Sequence, residues 1–191
     1  YYNNGDTFVF FDDGERIAQL ASVDVFQFFQ FLWNGNADFE IWDQLAYTQP
    51  RALFFSKLTA IGYLTGFGNY WIVALYFSFF SFFSAWKLAE RVAALFPSVK
   101  IAAMLALLFF PSVVFWTSGL MKEALAMAGL FAVVYVFVGY WVQKKFSLRD
   151  GIVLIVGFWL LWNLKYYYAG ILLISFGTMV LTRFVLNRLP A

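Results

Sequence analysis

From residue 71 onward the chain runs in long apolar blocks separated by short polar or basic breaks; before residue 51, aromatic and acidic positions are interleaved. A membrane-crossing helix needs about 20 mostly apolar residues, with a range of roughly 17–25. Four blocks approach that length. Block 71–86 stops at Lys87, block 101–116 contains Pro111, and block 124–142 is closed by Lys144 and Lys145. Block 152–186 is too long for one ordinary span and is interrupted by Asn163 and Lys165. It reads as two short helices with a turn near Trp162-Asn163-Leu164-Lys165. The pattern predicts about five spans, over 71–86, 101–117, 124–142, 152–163 and 166–186.

The front of the chain is different. Asn3-Asn4-Gly5-Asp6, Asp12-Asp13-Gly14 and Asn34-Gly35-Asn36 read as turns. Between the last two, Asp24, Gln27 and Gln30 recur at a spacing of three among Val, Phe, Leu and Trp. That predicts a helix over 15–33 lying against a membrane surface or a partner. Pro50 sets a boundary. Residues 51–66 are apolar but carry Lys57, and are placed as an interfacial helix. The expected organisation is an acidic loop with an amphipathic helix (1–50), an interfacial helix (51–70) and a helical bundle (71–191). Within 71–86, Ser78, Ser81 and Ser84 form a small-residue stripe that suits close helix packing.

Composition strengthens this picture. Hydrophobic residues make up 63% of the chain and charged residues 13%, against roughly 45–50% and 25% in soluble domains. A soluble domain could not cover that apolar surface, so the fold class is an all-α integral membrane protein, a multipass helical bundle. The net charge of +2 gives no reason to expect a nucleic-acid partner. With no Cys there are no disulfides, thiolate nucleophiles or Fe–S clusters, and with no His there is no Ser-His-Asp triad. The chain begins at Tyr1, without an initiating Met. A preceding piece, a first membrane helix, is expected.

Charge also orients the chain. Residues 1–50 hold eight of the eleven acidic residues and only Arg16 among the basic ones. Lys87, Arg91 and Lys100 follow the first span, Lys144, Lys145 and Arg149 the third, and Arg183 and Arg188 the last. The positive-inside rule places these clusters in the cytoplasm. The acidic front, the 117–123 turn and the 163–168 turn then share the opposite, extracytoplasmic face of a bacterial inner membrane. If 51–66 spans instead, the front moves to the cytoplasm.

That face carries the candidate chemistry. A carboxylate there can act as a general base on an acceptor hydroxyl or hold a divalent cation through oxygen ligands. Asp6, Asp12, Asp13, Glu15 and Glu123 are available; Asp12 and Asp13 are the candidate metal ligands, although Asp12-Asp13-Gly14 is more often a plain turn. Lys122, Lys165 and Arg51 can bind a phosphate or pyrophosphate leaving group. Lys122 and Glu123 also read as solvated charges at a helix start, where Glu suits the dipole and Lys does not. Tyr166, Tyr167 and Tyr168 can stack on a sugar or form an aromatic belt. Lys165 is harder to treat as merely solvated, because it lies between two apolar stretches.

The order of these features resembles the GT-C class of membrane glycosyltransferases, in the branch of protein O-mannosyltransferases and the lipid A aminoarabinose transferase. Gly5-Asp6-Thr7-Phe8-Val9-Phe10, followed by Gly14-Glu15-Arg16-Ile17-Ala18, is similar to that family's first outer loop. Residues 51–66 with Phe67-Gly68-Asn69-Tyr70 resemble its outer amphipathic helices, and 71–100 a span ending in a basic turn. The segment 110–123, from Pro111 through Trp116-Thr117-Ser118-Gly119 to Lys122-Glu123, resembles its span with an outer Pro and an acidic loop. The chain departs from the family in placing Lys122 beside Glu123, and it resembles poorly described bacterial surface-polysaccharide proteins as well. The resemblance implies transfer of a sugar from a polyprenyl-phosphate donor to an extracytoplasmic acceptor. It implies Asp6 as base, Glu123 as a second-loop acid for acceptor or metal, and Lys122, Lys165 and Arg51 toward the donor phosphate.

Two other readings stand beside it. One is a non-enzymatic subunit of a larger bacterial membrane assembly in secretion, motility or respiration, with protein partners on its aromatic faces. The Asn163–Lys165 interruption also permits a transporter. Convergence separates them: an enzyme needs Asp6, Glu123 and Lys165 around one cavity, whereas a scaffold leaves them scattered.

Overall fold

Local capping chemistry punctuates the chain, and in the computed structural model, which describes residues 5–35 and 39–186, each cap starts or stops a helix. Helix α1 (Asp6–Val23) ends where Asp24 turns extended, and the Asp24 carboxylate accepts from the backbone N–H of Phe26 (2.8 Å) and Gln27 (3.4 Å) to start α2 (Val25–Asn34). The expected single helix over 15–33 is thus two. Asp24 prefers capping the second to lying within the first, because a capped helix start satisfies otherwise unpaired N–H groups. Gly35 closes α2 at φ 71°. A short α3 (Phe39–Gln44) follows, and then α4 (Pro50–Thr65), with Pro50 in its first turn.

The expected turn at Asp12-Asp13-Gly14 lies inside α1. Gly14 serves packing instead. A Cβ built on it would fall 2.7 Å from Thr59 Cγ2 and 3.1 Å from the Ala60 backbone nitrogen on α4. Lys57 Nζ, half-buried, donates to the Leu32 carbonyl (3.1 Å) near the end of α2, where a cation suits the helix dipole. Burial lowers its pKa. Tyr63 on α4 donates to Glu15 Oε1 (2.7 Å). Helices α1–α4 thereby form one layer.

Asn69 caps α5 (Tyr70–Leu95) by accepting from Trp71 (2.9 Å) and Ile72 (3.4 Å). The helix does not stop at Lys87, as the hydropathy pattern predicts, but runs on through the Lys87–Glu90 ion pair (2.9 Å). Residues 97–117 include α6 (Lys100–Met104), a π-helical turn at Leu105–Phe109, and α7 (Pro111–Thr117). Pro111 cannot supply an N–H to continue the helix, and the segment bends by 45° there. Helix α8 (Lys122–Gln143) and helix α9 (Leu148–Leu186) complete the fold. Ser147 and Asp150 form a reciprocal capping box at the start of α9.

The break expected near residues 162–165 falls at Lys165, whose φ −145° and ψ 69° are not helical. Before it, Gly157 faces Val133, Leu161 faces Gly129, and Lys165 meets Glu123, so the order along α8 descends. After it, Phe176 stacks on Phe137 and Arg183 lies over Trp141, so the order ascends. The chain doubles back at Lys165, and both legs pack on α8.

All regular structure among the described residues is helical. Helices α5, α8 and α9 are long and apolar enough to cross a membrane, and the bent 97–117 segment is a fourth candidate if counted as one span. Helices α5 and α8 pack side by side, joined at one end by Ser78, whose hydroxyl accepts from Gly119 N–H (2.7 Å). Ser81 is buried between helices, while Ser84 stays partly exposed. A glycine crossing holds α8 to α9: a Cβ on Gly129 would approach the Gly157 carbonyl to 2.9 Å. The α1–α4 layer covers the end of this bundle where α8 begins. Phe10, Phe55 and Phe77 connect layer to bundle in successive edge-to-face contacts at 5.0 and 5.5 Å.

The close approach of α1 to α4 predicts that Gly14→Val lowers stability by about 1–3 kcal/mol, the usual cost of overpacking. Thermal unfolding in detergent checks it, and Thr59→Gly should restore part of the loss by making room.

Candidate functional site

Four separate parts of the sequence meet where the layer covers the bundle. Helix α1 contributes Asp6 and Phe10, the segment before α4 contributes Tyr47, the first turn of α8 contributes Lys122 and Glu123, and the break within α9 contributes Lys165. Tyr47 is placed from below by Asp13. That carboxylate is fully buried, and its two oxygens accept from the backbone N–H of Ala46 (2.9 Å) and Tyr47 (3.1 Å). Arg16 Nη1 stands 3.8 Å from Asp13 and also donates to the Gln44 carbonyl. Asp13 therefore holds the 44–47 segment in place. Asp12, next to it, is exposed on α1. Neither belongs to a cluster of three acidic side chains among the described residues that could hold a metal.

Positioned this way, Tyr47 donates its hydroxyl to Asp6 Oδ1 (3.0 Å) and stacks its ring on Phe10 (4.6 Å). Lys122 Nζ lies 4.3 Å from the centre of the Phe10 ring and 5.7 Å from that of Tyr47. It makes no ion pair among the described residues, but Asp6, Glu123 and Lys165 all act on it electrostatically. Glu123 is engaged by Lys165 at 2.7 Å, with both side chains about three-quarters buried. Lys165 also reaches the Tyr167 ring (5.9 Å). A cavity of about 240 Å³ opens beside Glu123 and is bounded by Ser112, Trp116 and Tyr168.

Sequence reasoning placed Asp6, Lys122, Glu123 and Lys165 on one face, and the fold brings them into one neighbourhood. Arg51 and Tyr166 form a second pair at its edge, the guanidinium 3.9 Å above the ring. Asn3 and Asn4 of the first polar cluster lie outside the described residues, as do Asn36 and Arg188. Tyr47 was missed. It sits in a segment with no motif, and only its partnership with Asp6, 41 residues away, makes it a site residue.

The groups gathered here are suited to acid–base and electrostatic chemistry. Asp6 is exposed and can take a proton; Lys122 presents an ammonium stabilised on aromatic faces, a geometry that keeps a cation in place without neutralising it. The hydrogen bond to Asp6 raises the Tyr47 pKa, helped by partial burial and the nearby carboxylate charges. A raised phenol pKa means the Tyr47–Asp6 contact is fully present below the ordinary tyrosine value near 10 and is lost as pH rises through the folded value. An alkaline absorbance titration of wild type minus Tyr47→Phe should isolate a phenol titrating above the ordinary value. Asp6→Asn should bring it down; no change on Asp6→Asn would sever the two residues.

The Lys165–Glu123 pair has its own signature. Lys165→Met leaves a largely buried carboxylate unpaired and should cost about 1–3 kcal/mol. Adding Glu123→Gln should recover part of that loss in thermal unfolding, since the orphaned charge is gone. In comparisons with known proteins, the chain matches no family model, no curated protein and no solved structure.

Proposed function

We propose that the chain is a membrane glycosyltransferase of the GT-C kind, moving a sugar from a polyprenyl-phosphate donor to an acceptor on the extracytoplasmic side. One observation carries the reading: an exposed carboxylate (Asp6), an ammonium that makes no ion pair among the described residues (Lys122) and a held acid–base pair (Glu123–Lys165) gather from distant parts of the chain at one end of an apolar bundle. Such convergence suits a reaction centre better than a scaffold surface, where charges would be expected to scatter.

In this reading Asp6 accepts the proton of an acceptor hydroxyl as its oxygen forms a bond to the sugar's anomeric carbon. The bond from that carbon to the donor phosphate oxygen breaks, and its electron pair leaves with the phosphate. Lys122 stabilises the charge gathering there. Tyr47 orients Asp6 through the 3.0 Å hydrogen bond. Glu123 holds Lys165 toward the same phosphate, and Arg51, Tyr166 and Tyr167 flank the donor. The acidic α1–α4 layer then faces away from the cytoplasm, and the basic ends of α5 and α8 face it, as the positive-inside rule requires.

The test is product formation in membrane vesicles supplied with polyprenyl-phosphate sugars. Asp6→Asn should lower turnover by about 10²-fold or more, and Lys122→Gln should lower it comparably, both at unchanged membrane abundance. Normal product from Asp6→Asn would remove the transferase reading and favour the non-enzymatic subunit of a larger membrane assembly.

A further inference from the structure

A second, unrelated arrangement runs from beneath α4 toward the opposite end of the bundle. A groove of about 780 Å³ runs between α4, α5, α8 and α9, and its lining is almost wholly apolar, including Phe77, Leu125, Ile152 and Leu160. Along α5 it extends from Tyr76 to Ser84, which at 1.5 Å per residue is about 12 Å. That is most of one leaflet of a hydrocarbon core about 30 Å thick. The groove borders a second cavity. Ser84, Ala132 and Val153 also line an adjoining cavity of about 510 Å³, so the two lie against the same three residues.

The adjoining cavity is basic. Lys87 and Arg91 enter from α5, Lys145 from the α8–α9 connection and Arg149 from the first turn of α9. Asp150 is the one acid on its lining, and its carboxylate is occupied by the Ser147 N–H (2.9 Å) and hydroxyl (2.8 Å). Lys87 is paired with Glu90, but Arg91, Lys145 and Arg149 make no ion pair among the described residues. Arg91 is built into place. Its guanidinium lies 4.1 Å from the centre of the Tyr135 ring and crosses α8 at Gly139, where any Cβ would collide with it. A side chain could have projected freely into solvent here; instead a glycine admits it into the mouth of the cavity.

We infer that this groove and cavity form a binding site for an anionic phospholipid, its phosphate held by Arg91, Lys145 and Arg149 and an acyl chain lying along the groove toward α4. The charge complementarity is specific to a phosphate head, and an apolar channel leading away from the cations fits a chain attached to that head. A free anion would use the cavity but leave the groove unexplained. A zwitterionic lipid would fill the groove but bring its own cation to a cluster of cations.

The full chain, delipidated in neutral detergent, is examined by native mass spectrometry with three probes: dioleoyl phosphatidylglycerol, dioleoyl phosphatidylcholine and glycerol 3-phosphate. One phosphatidylglycerol should be retained about tenfold more tightly than phosphatidylcholine, and glycerol 3-phosphate should be lost. Arg91→Gln with Arg149→Gln should bring the two lipids to within about twofold of each other. Lys145→Gln, a milder change on the connection, should reduce the preference partway if the double variant misfolds. Ala132→Phe, which fills the groove, should weaken both lipids together. Equal retention of the two lipids by wild type would overturn the inference, as would a preference that survives loss of the arginines. Retention of glycerol 3-phosphate as firm as that of phosphatidylglycerol would also overturn it, leaving a site for a water-soluble phosphate. None of these readouts depends on sugar transfer, so they stand or fall apart from the activity at the other end.

Discussion

The ion pair between Lys165 and Glu123 organises the upper half of this molecule. Both groups sit at the junction of apolar helices and both are largely withdrawn from water. A lone charge in such surroundings is costly, whereas a hydrogen-bonded pair is tolerated because each partner replaces the other's lost hydration. The pair therefore ties the first turn of α8 to the break in α9. That break lets α9 double back and place two legs on α8, which a continuous helix of 39 residues could not do. Everything that meets at this end depends on the position of that corner.

A second buried carboxylate plays the same kind of role in the covering layer. Asp13 has no solvent contact, yet both of its oxygens are satisfied by backbone N–H groups of a segment with no regular structure. It converts an otherwise loose connection into a fixed support for Tyr47. Tyr47 in turn reaches Asp6 and flanks Lys122. The layer and the bundle are thus joined by apolar contacts through Phe10, Phe55 and Phe77 and by a polar relay at the rim. The apolar contacts supply adhesion, and the relay sets the relative placement of charges.

The two ends of the bundle are chemically opposite. At the covered end, carboxylates, an ammonium and aromatic rings share a small volume. At the other, three cations that make no ion pair among the described residues border a cavity adjoining an apolar groove. Glycines enable both arrangements by removing side chains where helices or a guanidinium must come close: Gly129 and Gly157 at the α8–α9 crossing, and Gly139 beneath Arg91. The same device, applied at Gly14, seats α1 on α4.

Much of this was legible in the sequence, and the boundary of what was legible has a physical cause. Hydropathy depends on composition along a short window, so the apolar helices, the all-helical class, the interruption near Lys165 and the asymmetry of charge were all determined locally. Caps were harder. Asp24 ends one helix and starts another, and Asp12-Asp13-Gly14 is helical rather than turned, because a glycine between acids reads as a turn until α4 is seen packing against it. Lys122, Glu123, Lys165 and Asp6 could be named as charges on one face, but not joined, since the contacts between them span most of the chain. Tyr47 carried no signal at all. The sequence alone determined which residues must leave water and which cannot, because that follows from each side chain's own solvation. Only the tertiary structure decided which charges pair, which carboxylate is structural and which stays open, because those outcomes depend on distances between residues that the chain brings together only by folding.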